Sequence, residues 1–161
     1  MGVKLETRKP ITVAYIEHIG NYDSILFEKY IRRLYGWVKE KKVMPGFHPL
    51  AIYCDSPEKT PPGKCRSEIA IPIYRSVKPE AEIKIKKLPR MKVATLSHKG
   101  PSKEYPNSYK RLDEWITKNG YEWAGPAIEV YSKKPEVVAG GTIIHAKILV
   151  RVKKRIKPSR P

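Results

Sequence analysis

Apolar and polar residues follow strand-like and helix-like periods in the first half of the chain. Four apolar positions recur with the 3.6-residue period of a helix: Phe27, Ile31, Leu34 and Val38. Asp23 and Ser24 offer an N-cap before this helix, and the Pro45-Gly46 pair ends it. Period-two alternation and β-branched content predict strands at residues 3–8, 12–18, 50–54 and 67–73. The first half is therefore predicted to contain two strands, a helix and two further strands.

The second half repeats this order. Strands are predicted at residues 82–88, 92–98, 127–131 and 142–152, around a helix over residues 102–118. Asn119-Gly120 ends that helix, and Pro106 is expected in its first turn, where a missing N–H costs little.

The two halves also align with each other residue by residue. Residues 13–20 match residues 93–100 at an offset of 80, and Trp37 and Tyr53 match Trp115 and Tyr131 at an offset of 78. Residues 68–73 match residues 145–150 at an offset of 77. Such self-similarity predicts a tandem duplication of a β-β-α-β-β unit. We expect an α+β fold with pseudo-twofold symmetry, in which one antiparallel sheet carries both helices on one face.

This arrangement leaves a groove between the helices. Leu26, Tyr30 and Trp37 lie about 95° from the apolar stripe on a helical wheel, and Trp115 occupies the matching flank of the second helix. Large aromatic residues at helical spacing are also common core residues, so groove lining and core packing both remain open for the two tryptophans.

Composition adds a strong positive charge to this picture. The chain has 161 residues with 33 Lys+Arg against 16 Asp+Glu, a formal net charge of +17. We expect one domain over residues 1–152, with repeats at 1–80 and 81–152 and a basic tail at 153–161. Lysine runs in the second half could attract nucleic acid or an acidic protein, although exposed lysines usually serve solvation. No apolar stretch is long enough for a membrane span or signal peptide, so the sequence favours a cytoplasmic protein.

The sequence resembles the GyrI-like family, also called AraC-type effector-binding domains. The resemblance rests on residues 13–22 (VAYIEHIGNY), 49–57 (PLAIYCDSP), 60–68 (TPPGKCRSE), 98–101 (HKGP) and 126–131 (PAIEVY). It implies a tandem strand-helix-strand-strand fold that binds lipophilic, often cationic or aromatic, molecules between the helices. It also implies that relatives occur alone or fused to DNA-binding domains, that some inhibit gyrase, and that some hydrolyse reactive lipophilic compounds.

The resemblance and the repeat together select the candidate ligand-binding residues. These are Trp37, Trp115, Tyr53, Tyr131, Glu68, His145 and Tyr30. The family often places an acid near the start of the last strand of each repeat, and here the first repeat has Glu68 while the second has His145. A carboxylate among aromatic rings attracts a lipophilic cation, whereas a histidine near neutral pH does so weakly. If Ile69, Ile71 and Ile73 face the helices, Glu68 instead lies on the other face of its strand.

No motif in the sequence indicates an enzyme. The sequence has no nucleophile–base pair, phosphate-binding loop or dinucleotide glycine signature. We therefore expect no cofactor and no metal site. The favoured hypothesis is a small-molecule-binding protein of the sensor or sequestering type. The alternatives are a basic inhibitor or adaptor that binds nucleic acid or an acidic protein such as gyrase, and a hydrolase of reactive lipophilic compounds.

Overall fold

One large antiparallel sheet with two helices on one face forms an α+β fold. The computed structural model describes residues 2–56 and 58–156, so the last five positions of the predicted basic tail, 157–161, lie outside the described residues. The strands are β1 Lys4–Arg8, β2 Ile11–Ile19, β3 Leu50–Tyr53, β4 Arg66–Ile73, β5 Ile83–Leu88, β6 Met91–Gly100, β7 Tyr121–Tyr131, β8 Glu136–Val138 and β9 Gly141–Lys154. The helices are α1 Phe27–Glu40 and α2 Tyr105–Lys118.

The strand order interlocks the two halves of the chain. Across the sheet the order is β1-β6-β9-β7-β3-β4-β2-β5, with β8 paired to β9 as an extension. The first strand of each half pairs with the second strand of the other half, since β1 pairs with β6 and β5 pairs with β2. The halves also meet at the centre, where β3 and β7 run antiparallel. Neither half therefore has a complete sheet of its own.

The start of α1 differs from the prediction that Asp23 and Ser24 cap it. Those two residues lie in a short 3-10 turn, Tyr22–Ser24, in which the Asn21 side chain accepts a hydrogen bond from the Asp23 backbone N–H at 2.9 Å. The helix begins at Phe27 after Leu26, which offers no side-chain cap. The prediction was wrong because a local Asx turn takes up the polar residues before the helix starts.

The second helix follows its prediction, while the strand after it is longer than predicted. Pro106 lies in the first turn of α2, and Gly120 follows the helix with a positive φ of 79°. The strand β7 begins at Tyr121, and its register against β9 shifts between Trp123 and Ala127. Pro126 has no N–H for the ladder, so the strand continues through an irregularity that hides it from a period-two analysis.

The apolar residues of the helix face form two neighbouring cores. Leu34, Trp37 and Val38 of α1 are buried with Ile69 and Ile71 of β4. The equivalent cluster of α2 contains Leu112 and Ile116 with residues of β6 and β9. The opposite face of the sheet holds a third buried cluster, formed by Val13, Leu50, Ile52, Ala70, Val93, Ile128 and Leu149. In the part of the chain that is described, neither helix combines the length and the hydropathy needed to cross a membrane.

We predict that Leu34→Ala lowers the free energy of unfolding by about 2–5 kcal/mol, because the side chain is fully buried and its loss leaves a cavity. Chemical denaturation measures the change. Leu26→Ala is the matched control, because Leu26 is 55% exposed beside the same helix and should change stability by less than about 0.5 kcal/mol. Equal effects of the two substitutions would contradict this description of α1.

Candidate functional site

A long open cleft lies between α1 and α2 above the centre of the sheet. Its volume is about 2310 Å³, larger than the roughly 300–1,000 Å³ of typical small-molecule pockets. One wall carries Phe27, Ile31 and Tyr35 of α1, and the other carries Tyr105 and Tyr109 of α2. The floor consists of Tyr53, Ala127, Glu129 and Tyr131, from the two central strands β3 and β7. The cleft can therefore accept a large, flat or branched molecule between aromatic walls.

The two tyrosines of the floor meet at the centre of the cleft. The hydroxyl groups of Tyr53 and Tyr131 are hydrogen-bonded at 3.2 Å. Rings from the α1 side pack edge-on against them, with Tyr22 4.8 Å from Tyr53 and Phe27 5.8 Å from Tyr131 between centroids. Edge-to-face contacts of this kind stabilise a fixed ring arrangement, so the floor is ordered before any ligand arrives.

A single carboxylate, that of Glu129, lies in this aromatic floor. Alternation along β7 places Glu129 on the same face as Tyr131, and the residue is only 4% exposed. The hydroxyl groups of Tyr109 and Tyr131 donate hydrogen bonds to its two oxygens at 2.7 and 3.1 Å. The Tyr105 hydroxyl lies beside the same carboxylate but is buried without a hydrogen bond of normal geometry among the described residues.

The surroundings of Glu129 disfavour its charge. Burial raises the pKa of the Glu129 carboxyl, and hydrogen bonds from the neighbouring tyrosines offset part of that shift. Burial and the nearby carboxylate raise the pKa of Tyr109 far above its ordinary range, so this phenol stays protonated and keeps donating. Within residues 2–56 and 58–156, no Lys or Arg forms an ion pair with Glu129. The hydrogen bonds to this carboxylate thus come from neutral phenol hydroxyl groups, and nearby His98 is a further group that favours its charge.

Of the residues predicted from sequence, Tyr53 and Tyr131 lie in the cleft, and the two tryptophans do not form its walls. Trp37 is 1% exposed in the core beneath α1, where its indole N–H donates to Glu80 at 2.8 Å. Trp115 stacks on Tyr121 with 6.1 Å between ring centroids, and both pack against the buried cluster of α2. The prediction that both tryptophans line the groove is wrong, because each indole packs against a neighbouring segment of the fold: Trp37 against the segment of Glu80 and Trp115 against Tyr121. Trp123, at the start of β7, is a tryptophan that does line the cleft.

Glu68 and His145 lie on the sheet face opposite the helices. Ile69 and Ile71 pack under α1, so Glu68 points the other way, where it pairs with Lys86. The Nε2 atom of His145 is 2.8 Å from Glu136 Oε1 on that side of β9. The expectation that these two residues face the groove was wrong, because alternation along β4 and β9 directs their neighbours to the helices. Tyr30 is also outside the cleft lining and contacts His18 Nδ1 at 3.3 Å.

Sequence reasoning missed Glu129, although a signal for it is present. Glu129 is separated from Tyr131 by one residue, so the two share a face of the strand. The offset of 78 aligns it with Ala51, which shows that an apolar position of one half is acidic in the other. The family pattern directed attention to the last strand of each half instead.

Comparison with known proteins places the chain in a family. The model of the GyrI-like small molecule binding domain matches residues 1–153, and the chain belongs to this family. No curated protein matches the sequence closely enough to count as a relative.

Solved structures share the fold at low sequence identity. An EcmrR–DNA complex superposes with a TM-score of 0.78 at 18% identity, over 96% of this chain and 57% of the EcmrR chain. The isolated C-terminal domain of EcmrR gives a TM-score of 0.75 at 20% identity, over 94% of this chain and 97% of that domain. SAV2435 bound to tetraphenylphosphonium gives a TM-score of 0.59 at 16% identity, over 95% of this chain and 94% of the SAV2435 chain. This chain thus spans little more than half of EcmrR and nearly all of its C-terminal domain.

We predict that Glu129→Gln stabilises the ligand-free protein increasingly as the pH rises from about 4 to about 7. The raised pKa means that the folded state holds the proton more tightly than the unfolded chain does. Ionisation above the unfolded value therefore costs stability, and the amide removes that cost. Denaturation of both proteins across this pH range measures the difference.

Glu80→Gln is the control of opposite sign. Hydrogen bonds from Lys41 and Trp37 lower the pKa of Glu80, so its charge stabilises the fold above the unfolded pKa, and that contribution is lost as the pH falls. Glu80→Gln should therefore become less stable than wild type as the pH rises. A pH-independent difference for Glu129→Gln would show that its carboxyl is not perturbed.

Proposed function

We propose that this protein binds lipophilic cations in the cleft between α1 and α2, with Glu129 as the counter-charge. One observation carries the proposal: a buried carboxylate faces an aromatic cleft, and its hydrogen-bond donors among the described residues are phenol hydroxyl groups. An ionised carboxylate without a Lys or Arg partner gains from an opposite charge. A cation that enters the cleft supplies that charge and displaces little water from the carboxylate.

The aromatic rings around Glu129 suit a ligand with apolar substituents. Tyr22 and Phe27 on one side and Tyr105 and Tyr109 on the other present ring surfaces to the cleft. A diffuse cation gains from such rings through cation–π attraction, and its substituents gain from leaving water. A compact, strongly hydrated ion such as ammonium has neither advantage.

The structural neighbours support the same class of ligand. SAV2435, which shares the fold, was solved with the lipophilic cation tetraphenylphosphonium. The C-terminal domain of EcmrR, a protein solved in complex with DNA, shares it as well. We propose that this chain acts as a ligand-sensing or ligand-sequestering domain. Binding of nucleic acid or of an acidic protein stays a prediction from the basic composition.

The proposed duplication would explain why the site holds one acid rather than two. Ala51 and Glu129 are direct cross-strand partners, and the offset of 78 also makes them equivalent positions of the two repeats. Two carboxylates at this point would repel each other across the strand pair. The strand order is the same from either edge of the sheet once equivalent strands of the two halves are exchanged, that is, β1 with β5, β2 with β6, β3 with β7 and β4 with β9. This symmetry supports the duplication. A single central acid favours a monocation.

A matched pair of ligands tests the proposal. Methyltriphenylphosphonium is a cation, and triphenylphosphine oxide is a neutral molecule of nearly the same shape. Breaking a buried charge pair costs about 3–5 kcal/mol, so Glu129→Gln should weaken phosphonium binding at least about tenfold. Binding of the oxide should change little, because its contacts are apolar. Isothermal titration calorimetry measures both affinities.

Glu68→Gln is the control for this experiment, because Glu68 is a similarly buried acid on the opposite face of the sheet, paired with Lys86. It should leave phosphonium binding unchanged. Equal losses for both ligands in Glu129→Gln would mean that the carboxylate is only structural. A loss in Glu68→Gln with none in Glu129→Gln would place the site elsewhere.

A further inference from the structure

The cleft carries charged residues at both of its ends. The strands β3 and β7 run antiparallel along its floor, so the segments that follow them lie at opposite ends. Asp55 and Glu58 follow β3, whereas Lys133 and Lys134 follow β7, and all four line the cleft. The end that holds Asp55 and Glu58 also holds Lys59, and Asp55 pairs with Arg66 at 3.1 Å.

Two further acidic residues lie at the end of the cleft that holds Asp55 and Glu58. The Tyr22 hydroxyl donates to the Asp55 carbonyl at 2.6 Å, which brings the turn containing Asp23 to the acidic end. The Trp123 indole donates to Asp113 at 2.6 Å there, just before the part of β7 that pairs with Tyr53. These contacts add Asp23 and Asp113 to the same end.

Lys103 lies at the other end of the cleft, the basic end, which holds Lys133 and Lys134. Gly100 pairs with Ile144, and the backbone N–H of Ser132 donates to the His145 carbonyl at 3.2 Å. The turn after Gly100, which carries Lys103, therefore lies near the segment that carries Lys133 and Lys134. Lys110 follows Lys103 by seven residues and precedes Asp113 by three, so it lines the α2 wall between the two ends of the cleft.

Three of these lysines remain available to a ligand. Lys133 is committed to Glu136, with a nitrogen–oxygen distance of 3.1 Å. Within the described part of the chain, Lys103, Lys110 and Lys134 form no ion pair, and all three are exposed. Glu136 pairs with both Lys133 and His145, so its charge is already shared.

We propose that the ligand of this cleft is amphoteric: a lipophilic body whose cationic group lies at Glu129 and whose acidic group lies toward Lys103, Lys110 and Lys134. The inference rests on the proposed function and specifies the class of molecule bound there. Lys134 is five positions beyond Glu129, which would be about 16 Å if the chain were extended, and the bend after Tyr131 shortens this distance. The two charged groups of the ligand are therefore about 10 Å apart or less.

The charge of the whole protein favours the same class. A chain with a formal net charge of +17 repels a simple cation at long range. A zwitterion has no net charge and is not repelled in this way. Its acidic group is instead attracted to the lysines of the basic end.

Rhodamine B and its ethyl ester test the inference, because both contain the same lipophilic cation and only rhodamine B has a free carboxylate. Fluorescence anisotropy titrations give the dissociation constant of each dye. One variant carries Lys103→Gln, Lys110→Gln and Lys134→Gln together. The control variant carries Lys9→Gln, Lys78→Gln and Lys118→Gln, three exposed lysines away from the cleft that remove the same net charge.

Wild type should bind rhodamine B about threefold or more tightly than the ester, since each exposed pair contributes modestly. The cleft variant should lose this preference and the control variant should keep it. Raised salt should shrink the preference in wild type. An ester that binds as tightly as the acid, or a preference that survives in the cleft variant, would overturn the inference.

Glu129→Gln separates this inference from the proposed function. It should weaken both dyes alike, because both share the cation. If wild type binds both dyes equally and Glu129→Gln weakens both, the proposed function holds and only the amphoteric ligand is rejected. If neither dye binds to wild type at all, the proposed function fails and the inference fails with it.

Discussion

The cleft depends on one buried carboxylate held by tyrosine hydroxyl groups. Glu129 accepts from Tyr109 of α2 and from Tyr131 of its own strand, and Tyr131 is in turn bonded to Tyr53 of β3. This network ties the second helix to both central strands. Since partly satisfied buried polar groups are costly, each member limits the positions of the others. Among the described residues no Lys or Arg pairs with Glu129, so a cationic ligand can supply the opposite charge.

The interlocked sheet explains how such a site can stay in place without a ligand. The first strand of each half lies in the other half, so the halves cannot separate without breaking β1 from β6 and β5 from β2. The two helices rest on separate apolar clusters on either side of the central strand pair. The space between them is therefore a cleft with a rigid floor, and its width is set by the sheet rather than by direct helix contact.

Much of the fold could be predicted from periodicity, because strand and helix periods are local properties of the sequence. The apolar stripe of α1, the position of Pro106 and the two floor tyrosines all follow from spacing or from the internal repeat. The face of a strand that points to the helices is not local. The packing of Ile69 and Ile71 under α1 directs Glu68 away from the helices, whereas the hydrogen bond from Tyr109 of α2 shows that Glu129 faces them. The strand β8 has only three residues, too few for a period-two pattern to be recognised. The tyrosine partners of Glu129 lie in two different elements, α2 and β7, so no single segment of the sequence predicts the site.

The central claim is that a cation pairs with the buried carboxylate of Glu129, and proton release on binding tests it most directly, because burial raises the pKa of that carboxyl. Calorimetric titrations of methyltriphenylphosphonium in buffers with different ionisation enthalpies count the protons exchanged. Because a bound cation lowers the raised pKa of the Glu129 carboxyl, wild type should release up to one proton per cation at pH values below the raised pKa, and none well above it. Glu129→Gln should release none at either pH. Cation binding that releases no proton in wild type across this range, or the same release in Glu129→Gln, would contradict the account.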